Sequence, residues 1–269
     1  MTDSQIDWDA LDALYQKARR ADVGGDNALA ARLYSDVVAL DPDDHLGATL
    51  RLAHLEGNKP EKAPSAYVAA LFDQTADSFD RILVDELGYS VPLMIADRLK
   101  ERELGPFEGW LDLGCGTGLC AMALEDVTTH RTGIDLAPSM IEIASELEIY
   151  DRLLIGEVIS FLTSETVGGP YKLITAADVF PYIGDLDPLF NGLSGCVEPG
   201  TVLAFSTEHL EGEAWDFAVG AHKRFAHASG CIDRTLAKHS WSLTHRDAIT
   251  VRMEEDAPVP GELIVAIKL

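Results

Sequence analysis

The chain has 269 residues, 47% hydrophobic and 25% charged, enough apolar mass to bury a core and the wrong balance for a disordered tail. Its 45 acids against 21 bases give a formal charge of -24, which repels a phosphate backbone and counts against nucleic acid as a partner. No apolar run nears the roughly 20 residues of a membrane span and the first twenty residues do not form a signal peptide, so a cytoplasmic location without membrane association is expected.

Two amphipathic helical stretches are expected between residues 9 and 41, separated by Gly24-Gly25-Asp26-Asn27 and ended before Pro42, which cannot continue a helix. Ala30, Tyr34, Val37 and Pro42 fall where a tetratricopeptide (TPR) unit places its small, aromatic and proline positions, so this hairpin resembles one. It departs from the pattern at Leu14, where Trp is usual, and at Ala18, where Gly is usual. A second unit begins at His45-Leu46-Gly47-Ala48 and breaks at Gly57-Asn58-Lys59-Pro60. So few repeats cannot bury their own faces. Residues 1–64 are therefore expected to lean on the rest of the chain, or to serve as an arm for a protein partner or for self-association.

From Ser65 a helical period through Val68, Leu71, Phe72, Ala76, Phe79, Ile82, Leu83 and Leu87 predicts one long helix or a broken pair, interrupted at Gly88. Another helix is expected from about Pro92 to Leu104, stopped by Gly105-Pro106. Residues 65–105 would cap the strand that follows. Beyond Pro106, short apolar runs at Trp110 to Leu113, Arg131 to Ile134, Leu153 to Ile155, Leu173 to Ala176 and Val202 to Phe205 alternate with helical patterns. That alternation predicts an α/β fold with a doubly wound, mostly parallel sheet. Ala248 to Arg252 and Leu263 to Leu269 are joined directly, which predicts an antiparallel pair at one edge. Four cysteines, Cys115, Cys120, Cys196 and Cys231, form no C-x-x-C pair and are read as free thiols; no metal site is expected.

The informative segment is Trp110-Leu111-Asp112-Leu113-Gly114-Cys115-Gly116-Thr117-Gly118, a strand running into a glycine turn and then a helix. Glycines there let the backbone approach a ligand and expose amides near a helix N-terminus. A dinucleotide fingerprint would need its third glycine at position 119, which is Leu, so a nicotinamide dehydrogenase fails on spacing. Twenty-three residues after Asp112, Asp135 ends the next apolar strand and is followed by Leu136-Ala137-Pro138-Ser139-Met140-Ile141-Glu142-Ile143-Ala144. Together these resemble class I S-adenosylmethionine-dependent methyltransferases. Ala66 to Asp80, followed by Leu87-Gly88-Tyr89-Ser90-Val91-Pro92, is similar to bacterial predicted methyltransferases with a TPR-like N-terminus, and the combined resemblance covers nearly the whole chain.

The resemblance implies S-adenosyl-L-methionine as cofactor and a seven-stranded Rossmann-like sheet in residues 106–269, behind the cap of residues 65–105 and the helical region 1–64. It implies cofactor contacts at Asp112, Gly114, Cys115, Gly116, Gly118, Asp135, Leu136, Met140, Glu157, Val158 and Asp178, with Asp135 on the ribose and Glu157 toward adenine. Asp73, Phe79 and Asp80 are the lid candidates. On the acceptor side, Asp178 and Tyr182 after the fourth strand are candidate catalytic residues. In the patch Lys223-Arg224-Phe225-Ala226-His227, Arg224 would take an acceptor carboxylate and His227 would act as base, unless Glu208 or Asp233 pairs with them. The expected activity is methyl transfer to a small-molecule acceptor. The alternatives are a cofactor-binding assembly or adaptor protein without methyl transfer, or a protein methyltransferase.

Overall fold

The computed structural model describes residues 6–212, 216–220 and 222–269. Five parallel strands form its centre: β1 (Phe107–Leu113), β2 (Thr128–Asp135), β3 (Arg152–Ile155), β4 (Tyr171–Ala176) and β5 (Val197–His209), in the order 3-2-1-4-5. The order reverses between β1 and β4, so their C-terminal ends open a crevice, the place where such sheets bind ligands. β1 has an aromatic and aliphatic run because it is covered on both faces. Leu111 and Leu113 pack with Ile174, Phe180, Phe190 and Phe205 in one core cluster. Trp110 packs with Leu173, Val202 and Ala204 in the other. Each such side chain contributes roughly 1.5–3 kcal/mol on burial.

The sheet has nine strands among the described residues, not the seven expected from the resemblance. The additional pair, β6 (Phe217–Val219) and β7 (Phe225–His227), is a short antiparallel ribbon. Each has three residues, too short to show a period in sequence, and β7 makes a strand of the patch that follows Arg224. The edge pair is present and longer than expected: β8 (Trp241–Glu254) and β9 (Ala257–Lys268) form a hairpin, and β9 lies antiparallel between β8 and β5. Because β9 occupies one edge of β5 as far as Glu208, β7 pairs with Glu208 and His209 on the other edge, beyond the end of β4.

Among the described residues, the helices that come first are α1 (Trp8–Val23), α2 (Asn27–Leu40) and α3 (Ala48–Glu56). Asp7 and Asp26 cap the first two by accepting from the amides of Ala10 and Leu29, which offsets otherwise unpaired donors. Leu11, Ala18, Ala30, Leu33, Tyr34, Val37 and Ala48 form their shared core. On α3, Leu50 and Ala53 pack instead with Ala63, Val219 and Phe225, so the helices dock on the β6–β7 ribbon. Of the two forms expected from Ser65, one long helix or a broken pair, the structure has the broken one. α4 (Ser65–Asp73) ends where the Thr75 hydroxyl donates to the carbonyls of Leu71 and Phe72, and a single 3-10 turn and a wider turn at Arg81–Glu86 follow. α5 (Val91–Glu101) then leads into β1.

Candidate active site

The turn after β1 is held in shape by its glycines. Gly114 and Gly116 have φ of 62° and 53°, and a methyl group on Gly114 would lie 2.6 Å from Val179 Cγ2. At Gly116 the same position is open space on the wall of a cavity of about 250 Å³. Beside it, Asp135 at the end of β2 accepts from the Gly116 amide at 2.9 Å and the Ala137 amide at 2.9 Å. Burial pushes this carboxyl above the usual range, and the amide hydrogen bonds from Ala137, Gly116 and Leu136 only partly offset that. Each oxygen keeps a lone pair for a further donor. An open glycine cradle beside a buried, oriented carboxylate fits the sugar and amino-acid ends of a nucleoside such as S-adenosylmethionine.

Leu136, Met140 and Val158 give the neighbouring wall its apolar surface. Glu157 also lines the cavity, but its carboxylate caps the short helix Val158–Leu162, accepting from the amides of Ile159 and Ser160, and it pairs with Lys62 Nζ at 3.4 Å. Burial raises its pKa, yet the hydrogen bonds from Ser160 and Ile159 and the charge of Lys62 outweigh it and hold the group below the ordinary range.

Two expected cofactor residues do not reach the cavity. Asp112 is buried beneath the turn, accepting from Tyr150 Oη at 2.6 Å and Thr175 Oγ1 at 2.6 Å, and burial raises its pKa to about 7. Its role is to support β1 against β4. Gly118 is a packing glycine, since a methyl group there would stand 2.5 Å from Leu147 Cδ1.

The opposite end of the cavity is polar. Asp178 follows β4 in the left-handed region, at φ 60°, with its amide donating to Ser206 Oγ at 2.9 Å. Its Oδ2 accepts from Arg252 Nη1 at 3.3 Å, while Oδ1 is buried with no partner among the described residues. Arg252, on β8 and 2% exposed, also donates to Glu208 Oε1 at 2.5 Å and Glu254 Oε2 at 3.2 Å. Arg224, ahead of β7, donates to Glu254 Oε2 at 2.9 Å and to Tyr182 Oη at 3.4 Å. Burial pushes Glu208 up, with Arg252 opposing the shift.

An apolar roof closes over both ends. Val68, Phe72, Phe79, Leu83 and Leu87 line the cavity, and Phe72 meets Tyr182 edge to face. The roof is fastened at three points. Asp73 accepts from the Ser139 amide at 2.9 Å at the start of the helix Pro138–Glu146, Asp80 accepts from Thr117 Oγ1 at 2.5 Å, and the Leu87 carbonyl accepts from the Met253 amide at 2.7 Å. A strap leading into the roof is stitched to the loop after β4: the Ala63 amide donates to Tyr182 O, and the Gly184 and Asp185 amides donate to Glu61 O.

Of the residues expected from sequence, Gly114, Cys115, Gly116, Asp135, Leu136, Met140, Glu157, Val158, Asp178 and Tyr182 line one cavity. His227 does not. It is buried behind the wall with Nε2 3.0 Å from the Gly184 carbonyl, and burial lowers its pKa to about 4, so it has no access to an acceptor and the role of base is withdrawn from it. Arg224 lines the cavity but is already engaged by a carboxylate. Arg252 and Glu254 went unnoticed in the sequence. The available signal was two opposite charges two residues apart on a strand otherwise read as an edge. No group of three or more His, Cys, Asp or Glu side chains suited to a metal ion occurs among the described residues.

Residues 91–255, more than half of the chain, match the family model described as a methyltransferase domain. The ubiquinone biosynthesis O-methyltransferase of Klebsiella pneumoniae subsp. pneumoniae is 27% identical over 160 residues, which are 52% of this chain and 66% of that protein. The chain thus spans about half to two thirds of the length of the curated relatives it matches first. Among solved structures, an S-adenosylmethionine-dependent methyltransferase from Clostridium acetobutylicum aligns with a TM-score of 0.53 at 16% identity, covering 74% of this chain and 99% of that one. The [4+2]-cyclase SpnF aligns with a TM-score of 0.59 at 14% identity, covering 78% and 98%. These likenesses establish the fold, and the second belongs to a protein named for a cyclisation, so the chemistry has to be argued from the site.

Proposed function

The chain belongs to the methyltransferase domain family, and from that premise we propose that it moves a methyl group from S-adenosylmethionine to a hydroxyl of a small-molecule acceptor. The observation that carries this is the convergence of the glycine turn, Asp135 and Asp178, from three different strand ends, on one cavity under an apolar roof. When bound, S-adenosylmethionine supplies a methyl group already activated on a sulfonium sulfur, so the protein needs chiefly to orient the partners and exclude water. Gly114 and Gly116 give their backbone to the amino-acid end, Asp135 takes the ribose hydroxyls, and Leu136, Met140 and Val158 flank the base. Asp178 accepts the acceptor's proton, with Arg252 holding its other oxygen. Tyr182 and Phe72 shape the acceptor end, and the roof keeps water out.

Residues 1–64 are read as a TPR-like support for the roof, residues 65–105 as the roof itself and residues 106–269 as the methyltransferase domain. The test has two arms. Calorimetric titration with S-adenosylhomocysteine should give one site per chain, and incubation of a phenol and alcohol panel with isotopically labelled S-adenosylmethionine should place the label on oxygen. Binding without label transfer to any member would favour an adaptor role, and no binding would remove the cofactor assignment.

A further inference from the structure

The polar end of the cavity also discriminates by charge, an inference that rests on the methyl-transfer assignment above. Three carboxylates, Asp178, Glu208 and Glu254, face two guanidinium groups, Arg224 and Arg252, leaving this end with one negative charge in excess. His222 meets Glu254 Oε1 at 3.1 Å and is itself 41% exposed. Lys62 is turned to Glu157.

Glu254 differs from the other two acids. It ends β8 at the hairpin tip, and a single oxygen, Oε2, touches both arginines, at 2.9 Å from Arg224 and 3.2 Å from Arg252. Its side chain is 25% exposed, against 10% for Glu208 and 19% for Asp178, so it reaches in from the edge while the others are built into the wall. A carboxylate arriving with a ligand would seek the same two guanidinium groups, because planar N–H pairs are the preferred partner of a carboxylate.

We propose that Glu254 is a specificity-determining residue. It occupies the guanidinium groups that would otherwise bind an acceptor's carboxylate, so the site admits acceptors whose polar groups are uncharged hydrogen-bond donors and turns anions away. In the transfer itself a lone pair on the acceptor oxygen forms the new carbon–oxygen bond, the carbon–sulfur bond breaks with its pair left on sulfur, and the hydroxyl proton passes to the carboxylate of Asp178. An acceptor anion placed here would raise the excess charge beside that carboxylate from one to two.

The experiment titrates benzoate, at fixed ionic strength, into the full chain, into Glu254→Gln and into Glu254→Gln combined with Arg224→Gln, each with S-adenosylhomocysteine present and absent. Benzoate affinity should rise tenfold or more in Glu254→Gln and fall back in the double variant. No rise, or a rise that survives removal of Arg224, overturns the proposal. If circular dichroism shows Glu254→Gln unfolded, the unaltered protein still decides: benzoate bound more tightly than benzyl alcohol overturns it, and any other order supports it. Failure of S-adenosylhomocysteine to bind the unaltered protein would sink the methyl-transfer assignment separately, since the benzoate comparison is also read in its absence.

Discussion

The two ends of the cavity are made differently. The nucleoside end comes from sequence-local pieces, a strand and its following turn twice over, and the backbone does most of the work: amides of Gly116 and Ala137 hold Asp135, and the Gly156 amide pairs with the Asp135 carbonyl. The acceptor end gathers Asp178, Tyr182, Glu208, Arg224, Arg252 and Glu254 from distant parts of the chain and is held by charge. Backbone cradles tolerate changes of side chain around them, whereas a charge cluster depends on every member. One end is suited to a constant ligand, and the other can be retuned by single substitutions.

The comparison breaks most directly at Arg252. Arg252→Met should leave three carboxylates sharing the single guanidinium of Arg224 and cost about 3–5 kcal/mol of stability in urea unfolding, as removal of one partner of a buried pair does. A loss below about 1 kcal/mol would mean that charge does not hold the acceptor end together.

A second test uses pH, because each end has a buried group whose pKa is displaced far from its ordinary value. Asp112, beneath the glycine turn, is raised to about 7, so between roughly pH 4 and 7 the folded state holds a proton that the unfolded state has lost, and stability falls as pH rises. His227, behind the acceptor wall, is lowered to about 4, so between roughly pH 4 and 6.5 the unfolded state holds the extra proton, and stability falls as pH falls. The two slopes oppose each other in the same window. Asp112→Asn should therefore steepen the gain of stability from pH 4.5 to 6.5 relative to the unaltered protein by up to about 1.4 kcal/mol per pH unit, and His227→Asn should tilt the profile the other way. Parallel profiles for all three proteins would show that neither group is displaced as described.

A third test sharpens the contrast. Asp135→Ala should weaken S-adenosylhomocysteine binding by about 1.5–3 kcal/mol, the worth of hydrogen bonds to a charged acceptor, while benzoate binding to Glu254→Gln is unaffected. An unchanged nucleoside affinity in calorimetry would take Asp135 away from the ribose.

The same division explains what could be read beforehand. Asp112-Leu113-Gly114 and Gly133-Ile134-Asp135 are legible because the residues that act together are neighbours in the chain and their turn needs glycine. The acceptor end was half visible. Asp178 and Tyr182 follow a recognisable strand, but Arg252 lies on an edge hairpin whose register against β5 no local period reveals. His227 misled because histidine beside arginine looks chemical in a string of letters, and only the pairing of β7 with β5 and β6 shows it facing inward. The roof was legible as an apolar helix or a broken pair but not in where it breaks, which depends on where Asp73 and Asp80 find partners.

The stitching of residues 61–63 to residues 182–185 has a mechanical outcome. The segment that carries Tyr182 shares backbone-to-backbone bonds with the tether running down from the first three helices, while the nucleoside side is tied to it and to the roof through single side chains, Lys62 to Glu157, Asp73 to Ser139 and Asp80 to Thr117. Leverage applied to those helices would thus be delivered most stiffly to the jaw that carries Tyr182, changing the gap for an incoming acceptor before the side-chain ties pass it to the nucleoside.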